Sequence, residues 1–356
     1  MKKRNKILLS AAAAILLLAV VCFSAVYFLF LHRYRGTEIV NPWKETDVFS
    51  LSEIPTVEKK KNEPFVILNL ADVQLCDLED IFSMGEIKRE IADLVKRTRP
   101  DLITLTGDQT WSNENLISLK SLISWLDSFG IPYAPVFGNH DCGNQPDSAV
   151  LSRNACCDLY EKGKYSLFRR GPSNLGSLGN YVVNVTEEGK IVRTLYFLDS
   201  GYEDKISDEQ ISWLQWNAEG LRAANGGEYP AGMCFFHKPI PEYSAAYAGY
   251  RSGDASVEAV GDVWVTFSLS GSAQNGFFEA AKAVGVTDIV CGHQHGNCFT
   301  LNYEGVRLTF ALKTGDRVSF YSDEDITLDG ATRFSITEEA TEITPIFASR
   351  KEDDLQ

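Results

Sequence analysis

Apolar residues occur along this chain in one long run and many short ones. The long run, residues 7–31, is interrupted only by small residues such as Ser10 and Ser24, and as a helix it is long enough to cross a hydrocarbon core of about 30 Å. The short runs have the length of buried strands and stop abruptly at polar residues or glycine. Residues 65–70 predict a first strand. Ile87, Ile91, Leu94 and Val95 then fall at helical spacing within residues 85–97, and Pro100 ends that helix. Residues 101–106 predict a second strand, residues 116–129 a second helix closed by Gly130, and residues 131–137 a third strand. Strand, helix, strand, helix, strand with short joints implies parallel strands joined by right-handed crossovers, so that all three strands end on one edge.

Downstream, residues 142–180 are polar and rich in Gly, Ser and Asn, which predicts loops. Residues 181–185 and 194–198 form a strand pair. Residues 208–221 form an amphipathic helix with an Asp or Ser cap, whose Trp213, Leu214 and Trp216 belong to a core. Residues 233–236 predict a strand followed by a loop fixed by Pro239 and Pro241. A helix over 277–284, a strand over 288–291, and short β runs over 307–312 and 334–337 complete the pattern, the last two consistent with a second sheet. The charged residues 349–356 have the composition of a disordered tail.

Of 356 residues, 44% are hydrophobic, enough to bury a large core, and the net charge of −14 excludes a general nucleic-acid binder as a stable partner. Lys2, Lys3, Arg4 and Lys6 precede the long apolar run, whereas His32, Arg33 and Arg35 follow it. The heavier positive cluster keeps the amino end in the cytoplasm and puts the remainder outside. The run exceeds the apolar region of a cleavable signal peptide, which favours an uncleaved signal anchor over a secreted product. The expected organisation is a basic tail (1–6), a transmembrane anchor (7–31), a stem whose lysine run is solvated (32–63), one folded domain (64–348) and the tail (349–356). Seven cysteines besides Cys22 have no zinc or disulfide spacing, so buried free thiols are the default, with one or two bridges left open.

The chemistry sits where the strands stop. Asp72, Asp108, Asn139, His237, His293 and His295 each follow an apolar strand-like run, and four of the five histidines fall in these clusters. Any one of these residues alone is an ordinary turn residue. Together they supply the hard oxygens, neutral imidazoles and bridging carboxylate that two neighbouring divalent metals require.

In order, Asp72-Val73-Gln74, Gly107-Asp108, Gly138-Asn139-His140-Asp141, His237 and Gly292-His293-Gln294-His295 resemble the calcineurin-like metallophosphoesterase superfamily. They are most similar to the branch related to purple acid phosphatases that lacks the extra amino-terminal domain. The resemblance runs from about residue 65 to residue 297 and implies a four-layer αββα sandwich. It implies two metal ions, divalent or di/trivalent (Mn, Fe or Zn), with Asp72 and His295 on the first, Asn139, His237 and His293 on the second, and Asp108 bridging. His140 is then not a ligand but a group that stabilises the phosphoryl oxygens or protonates the leaving oxygen. Gln74 departs from the family's usual histidine: it is either a weaker amide ligand favouring a harder ion or a support for a ligand. The implied activity is hydrolysis of phosphate mono- or diesters by water activated between two metals. A binding protein with one metal and no turnover, and a protein phosphatase, are the alternatives.

Overall fold

The computed structural model describes residues 2–76, 80–111, 113, 115–142, 149–201, 205–266, 269, 275–315, 328–338 and 340–348. The strands, in chain order, are β1 (Thr56–Glu58), β2 (Phe65–Leu70), β3 (Leu102–Thr106), β4 (Tyr133–Val136), β5 (Tyr181–Glu187), β6 (Lys190–Phe197) and β7 (Gly232–Phe235). They continue with β8 (Glu258–Ala259), β9 (Trp264–Val265), β10 (Val286–Cys291), β11 (Asn297–Tyr303), β12 (Val306–Phe310), β13 (Gly330–Ile336) and β14 (Thr341–Phe347). The helices are α1 (Lys2–Val26), α2 (Asp80–Thr98), α3 (Leu116–Ser128), α4 (Arg153–Tyr160), α5 (Asp208–Ala224), α6 (Pro241–Ser252) and α7 (Phe277–Ala283).

Two sheets form the centre. The smaller runs β14-β13-β2-β3-β4, with β2, β3 and β4 parallel. The larger runs β1-β5-β6-β7-β10-β12-β11-β8, with β6, β7, β10 and β12 parallel. Alternation along the larger sheet shows how they stack. Leu195, Phe197, Met233, Phe235 and Val290 join the core shared with the smaller sheet and with α2, α3 and α4. Their neighbours Tyr196, Leu198, Cys234, Phe236 and Ile289 point the other way, onto α5, α6 and α7. Helices therefore cover both outer faces of a two-sheet sandwich, the αββα arrangement. The carboxyl ends of β2, β3, β4, β7 and β10 are left to build one rim.

Several elements depart from expectation. Residues 153–160 form a helix inside the region expected to be loop, because the Ser152 hydroxyl caps it by accepting from the Ala155 amide. Of the two prolines after His237, Pro239 lies in the short loop 236–240 as expected, whereas Pro241 opens α6 at a position where its missing N–H costs nothing. The two late β runs do not make a sheet of their own, since β12 joins the large sheet beside β10 and β13 joins the small one beside β2. All eight cysteines are free, seven of them buried, with Cys142 and Cys156 sulfurs 3.6 Å apart.

Residues 32–63 lie against the domain. Trp43 and Phe49 meet Trp216 edge-on with centroids 5.9 and 5.7 Å apart, and β1 adds in parallel to β5. This pairing carries Lys59 over the sheet, where its ammonium lies 2.7 Å from the Glu187 carboxylate with both side chains buried. Lys59 is therefore not solvated, unlike the exposed Lys60 and Lys61. Before it, Ser10–Leu29 is long and apolar enough to cross a membrane by length and composition. The tail, residues 349–356, lies outside the described residues.

Removing one partner of a buried ion pair leaves an uncompensated charge. Glu187→Ala is expected to lower the unfolding free energy by about 3–5 kcal/mol in urea titrations, with the aromatic contacts of the docked segment lost first. An unchanged midpoint would show that the pair does not hold this segment.

Candidate metal centre

Each candidate side chain is delivered by the end of a strand. The loop after β2 and the loop after β3 run side by side: the amides of Asp72, Gln74 and Leu75 donate to the carbonyls of Gly107, Asp108 and Gln109 at 3.1, 2.9 and 2.9 Å. This zipper sets Asp72 and Gln74 beside Asp108. Asp72, Gln74, Asp108 and His293 are four of the eight non-glycine residues with positive φ among the described residues. Such backbone persists only where its surroundings enforce it, and it concentrates at functional sites.

The motif glycines are required for room. A Cβ on Gly138 would lie 2.1 Å from Oδ1 of Asp108, and one on Gly292 would lie 2.6 Å from Oδ2 of Asp72. Main chain from β4 and β10 thus presses directly on the two carboxylates, and no larger residue fits.

At the centre stands His237, fully buried. Its Nδ1 lies 2.9 Å from the Thr106 carbonyl, so Nδ1 carries a proton and Nε2 is the atom turned toward the cluster, free to present a lone pair once its own proton is displaced. Around Nε2 lie Asn139 Oδ1 at 3.0 Å, Asp108 Oδ2 at 3.2 Å and His293 Nδ1 at 3.2 Å. Four atoms able to accept thus face one point, and a single proton cannot serve them all. Ligand atoms of Asp108, His237 and His293 all fall within 4.8 Å of one another. The donor set fits a divalent cation.

A second cluster adjoins it. His295 Nε2 lies 3.4 Å from Asp72 Oδ1 and 3.0 Å from Gln74 Nε2. Gln74 Oε1 is buried with no hydrogen-bond partner among the described residues, an orphan acceptor of the kind a cation satisfies. The Asp72 carboxylate also accepts the His293 amide at 2.9 Å. The structure thus brings together all seven residues named as ligands.

The electrostatics agree with a place that demands positive charge. Burial opposes ionisation of Asp108, but His237 and then His140 outweigh it and hold the carboxyl well below its usual range. Asp72 is lowered likewise, against burial, by His295 and His237. Burial alone would depress His237, yet Asp108 and Asp72 lift it to about 10. Burial and then the charge on His237 bring His293 down to about 4, since two imidazoles in contact cannot both be charged.

His140 stands apart from these ligand atoms. Its amide donates to Asp108 Oδ1 at 2.8 Å, while its ring Nε2 is 3.9 Å from Asp108 Oδ2 and remains partly exposed. Trp111 stacks on that ring at a tilt, with centroids 4.1 Å apart and planes at 29°. Three supports escaped the sequence analysis. The Asp141 carboxylate accepts from the Thr110 and Gly138 amides at 2.8 Å each and so shapes the turn that carries Asn139 and His140. The Asn115 amide group donates to the Asp141 carbonyl at 2.7 Å, and Trp111 shields His140. Only the aspartate, inside the tetrapeptide already singled out, had a signal that could have marked it.

Comparison with known proteins gives a consistent picture. The model of the calcineurin-like phosphoesterase family matches residues 65–297. The phosphatase DCR2 of Saccharomyces cerevisiae is 27% identical over 241 residues, which cover 60% of this chain and 38% of that protein. A probable inactive purple acid phosphatase 28 of Arabidopsis thaliana is 25% identical over 252 residues, covering 61% of this chain and 59% of that one. The chain therefore spans well under two thirds of the length of either relative. Among solved structures, GAP50, the anchor in the inner membrane complex of Plasmodium, superposes with a TM-score of 0.50 at 13% identity, covering 82% of this chain and 87% of that chain. That likeness concerns the fold alone.

Gly138→Ala tests the close approach without removing a ligand. The added methyl must displace Asp108, and retained divalent metal in equilibrium dialysis is expected to fall at least about tenfold while far-UV circular dichroism is unchanged. Full retention of metal would contradict the packing described.

Proposed function

This chain belongs to the calcineurin-like phosphoesterase family, and from that premise we propose that it is a metal-dependent phosphoric ester hydrolase, anchored in a membrane by α1 with its catalytic domain on the extracytoplasmic side. The observation that carries the hydrolase reading is the convergence of lone pairs from Asp108, Asn139, His237 and His293 on one point. In this reading Asn139, His237 and His293 hold one metal, Asp72, His295 and Gln74 hold the other, and Asp108 bridges the two. Bound there, Mn, Fe or Zn ions supply Lewis acidity toward phosphoryl oxygens and lower the pKa of water to near neutrality.

The chain's own groups have separate tasks. The Thr106 carbonyl fixes the His237 tautomer, so that Nε2 stays available. Asp108 spends Oδ1 on the His140 amide and turns Oδ2 toward His237. The partly exposed His140 ring at the mouth gives a proton to the leaving oxygen or neutralises the phosphoryl oxygens, and Trp111 restricts its tilt. Phosphate mono- or diesters are the substrates this site suits.

Gln74 favours a second reading, a protein that keeps one metal and has no turnover. Metal counting separates the two. Elemental analysis of the purified chain is expected to give two ions with activity on an aryl phosphate; one ion without activity supports the second reading.

Asp108→Asn removes the bridging charge and is expected to lower aryl phosphate hydrolysis by about a thousandfold or more, with loss of bound metal. Activity at the parent rate in that variant, or after thorough chelation, would overturn the assignment. Gln74→His is expected to raise metal retention through gel filtration by about tenfold at the first position, since imidazole binds such ions more tightly than an amide.

A further inference from the structure

We propose that the outward face of α3 carries a binding site for the headgroup of an anionic phospholipid, placed where the N-terminal helix meets the domain. The proposal rests on the membrane-anchored reading above. A shallow, open cavity of about 570 Å³ lies between Leu29, Lys88 at the side of α2, and Lys120, Ser121, Ser124 and Trp125 of α3. Lys120, Ser121, Ser124 and Trp125 are spaced to share one helix face. Lys88 Nζ already reaches Ser121 Oγ at 3.3 Å, bridging the two helices. No acidic residue lines the cavity among the described residues, in a chain whose net charge is −14. Two ammonium groups beside serine hydroxyls match a phosphodiester, whereas a headgroup bearing its own cation would meet them with like charge.

The location decides between lipid and other phosphates. Leu29 is the last residue of the apolar stretch Ser10–Leu29, so with α1 in a bilayer the cavity falls at headgroup depth, the level at which Lys and Trp anchor membrane proteins. Nor is the domain free to swing away on a tether. The Tyr34 amide donates to the Val150 carbonyl at 2.7 Å and the Ser152 amide to the Tyr34 carbonyl at 3.0 Å. The Ser152 hydroxyl donates to the Arg35 carbonyl at 2.6 Å, and the Thr37 amide donates to Asp158 at 2.8 Å. Gly36 fits so closely on α4 that a Cβ would lie 2.3 Å from the Ala155 nitrogen. The chain leaving α1 is therefore fastened at α4 from Tyr34 to Thr37, beginning eight residues after Val26, and the same face of α3 meets the bilayer.

The test uses the full chain in detergent, with native mass spectrometry reading the lipid retained from phosphatidylglycerol or phosphatidylcholine. One phosphatidylglycerol per chain is expected, preferred about tenfold over phosphatidylcholine and not displaced by millimolar inorganic phosphate. Lys88→Gln with Lys120→Gln should abolish the preference. Lys60→Gln with Lys190→Gln, which changes the net charge equally at exposed positions away from the cavity, should keep it. Equal retention of both lipids, an unaltered Lys88/Lys120 double variant, or displacement by inorganic phosphate would each overturn the lipid site. Membrane fractionation separates this failure from that of the premise. A chain soluble without detergent removes the anchor and the site together, whereas a membrane-bound chain without lipid preference removes only the site.

Discussion

The crowding of lone pairs around Nε2 of His237 is the constraint on which the rest of the site depends. Asp72 and Asp108 are almost wholly buried, and the ion-pair partners they have among the described residues are imidazoles rather than lysine or arginine. Uncompensated burial of a carboxylate costs several kcal/mol even after relaxation. The lifted His237 and the depressed His293 express the same demand, for one positive charge at one place. A proton meets that demand poorly because it satisfies at most two of the four atoms facing it. A divalent ion meets it with all four.

Everything nearby serves to hold those atoms still. The paired loops after β2 and β3 carry Asp72, Gln74 and Asp108 in left-handed backbone. Gly138 and Gly292 let neighbouring main chain press on the carboxylates. Asp141, itself buried and lifted to about 7 by burial and by Asp108, ties the turn after β4 to the Thr110 amide. The network continues outward. Asn115 joins the Asp141 carbonyl to the Leu151 amide, and the neighbouring Val150 receives the amide of Tyr34 from the chain leaving α1. The rim that carries the candidate ligands and the point where the long apolar helix enters the domain thus share one set of hydrogen bonds.

How much of this the sequence discloses depends on the range of the interaction. Strands β2, β3 and β7 are largely apolar and β10 ends in an apolar run over 289–291, because both their faces are covered, and parallel strands must end on a common edge. The candidate ligands could therefore be named from the residues that stop those runs. Helix α4 has no such signal: its eight residues lie in a stretch rich in Gly, Ser and Asn, and a single serine cap starts it. Helix α6 was hidden by prolines that also begin helices. Lys59 differs from Lys60 and Lys61 only through the pairing of β1 with β5, which no local pattern records. The same holds for the Thr106 carbonyl at His237 and for Trp111 on His140: both contacts arise only when distant loops meet.

The central claim is that a cation, not a proton, belongs between Asp108, Asn139, His237 and His293. Nitrogen-15 NMR of the full chain with labelled histidines, titrated with Zn2+ at neutral pH, tests it directly. The account predicts that Nδ1 of His237 keeps its proton throughout while Nε2 moves to the shift of a metal-bound nitrogen. An imidazolium protonated on both nitrogens, unmoved by saturating zinc, would contradict it.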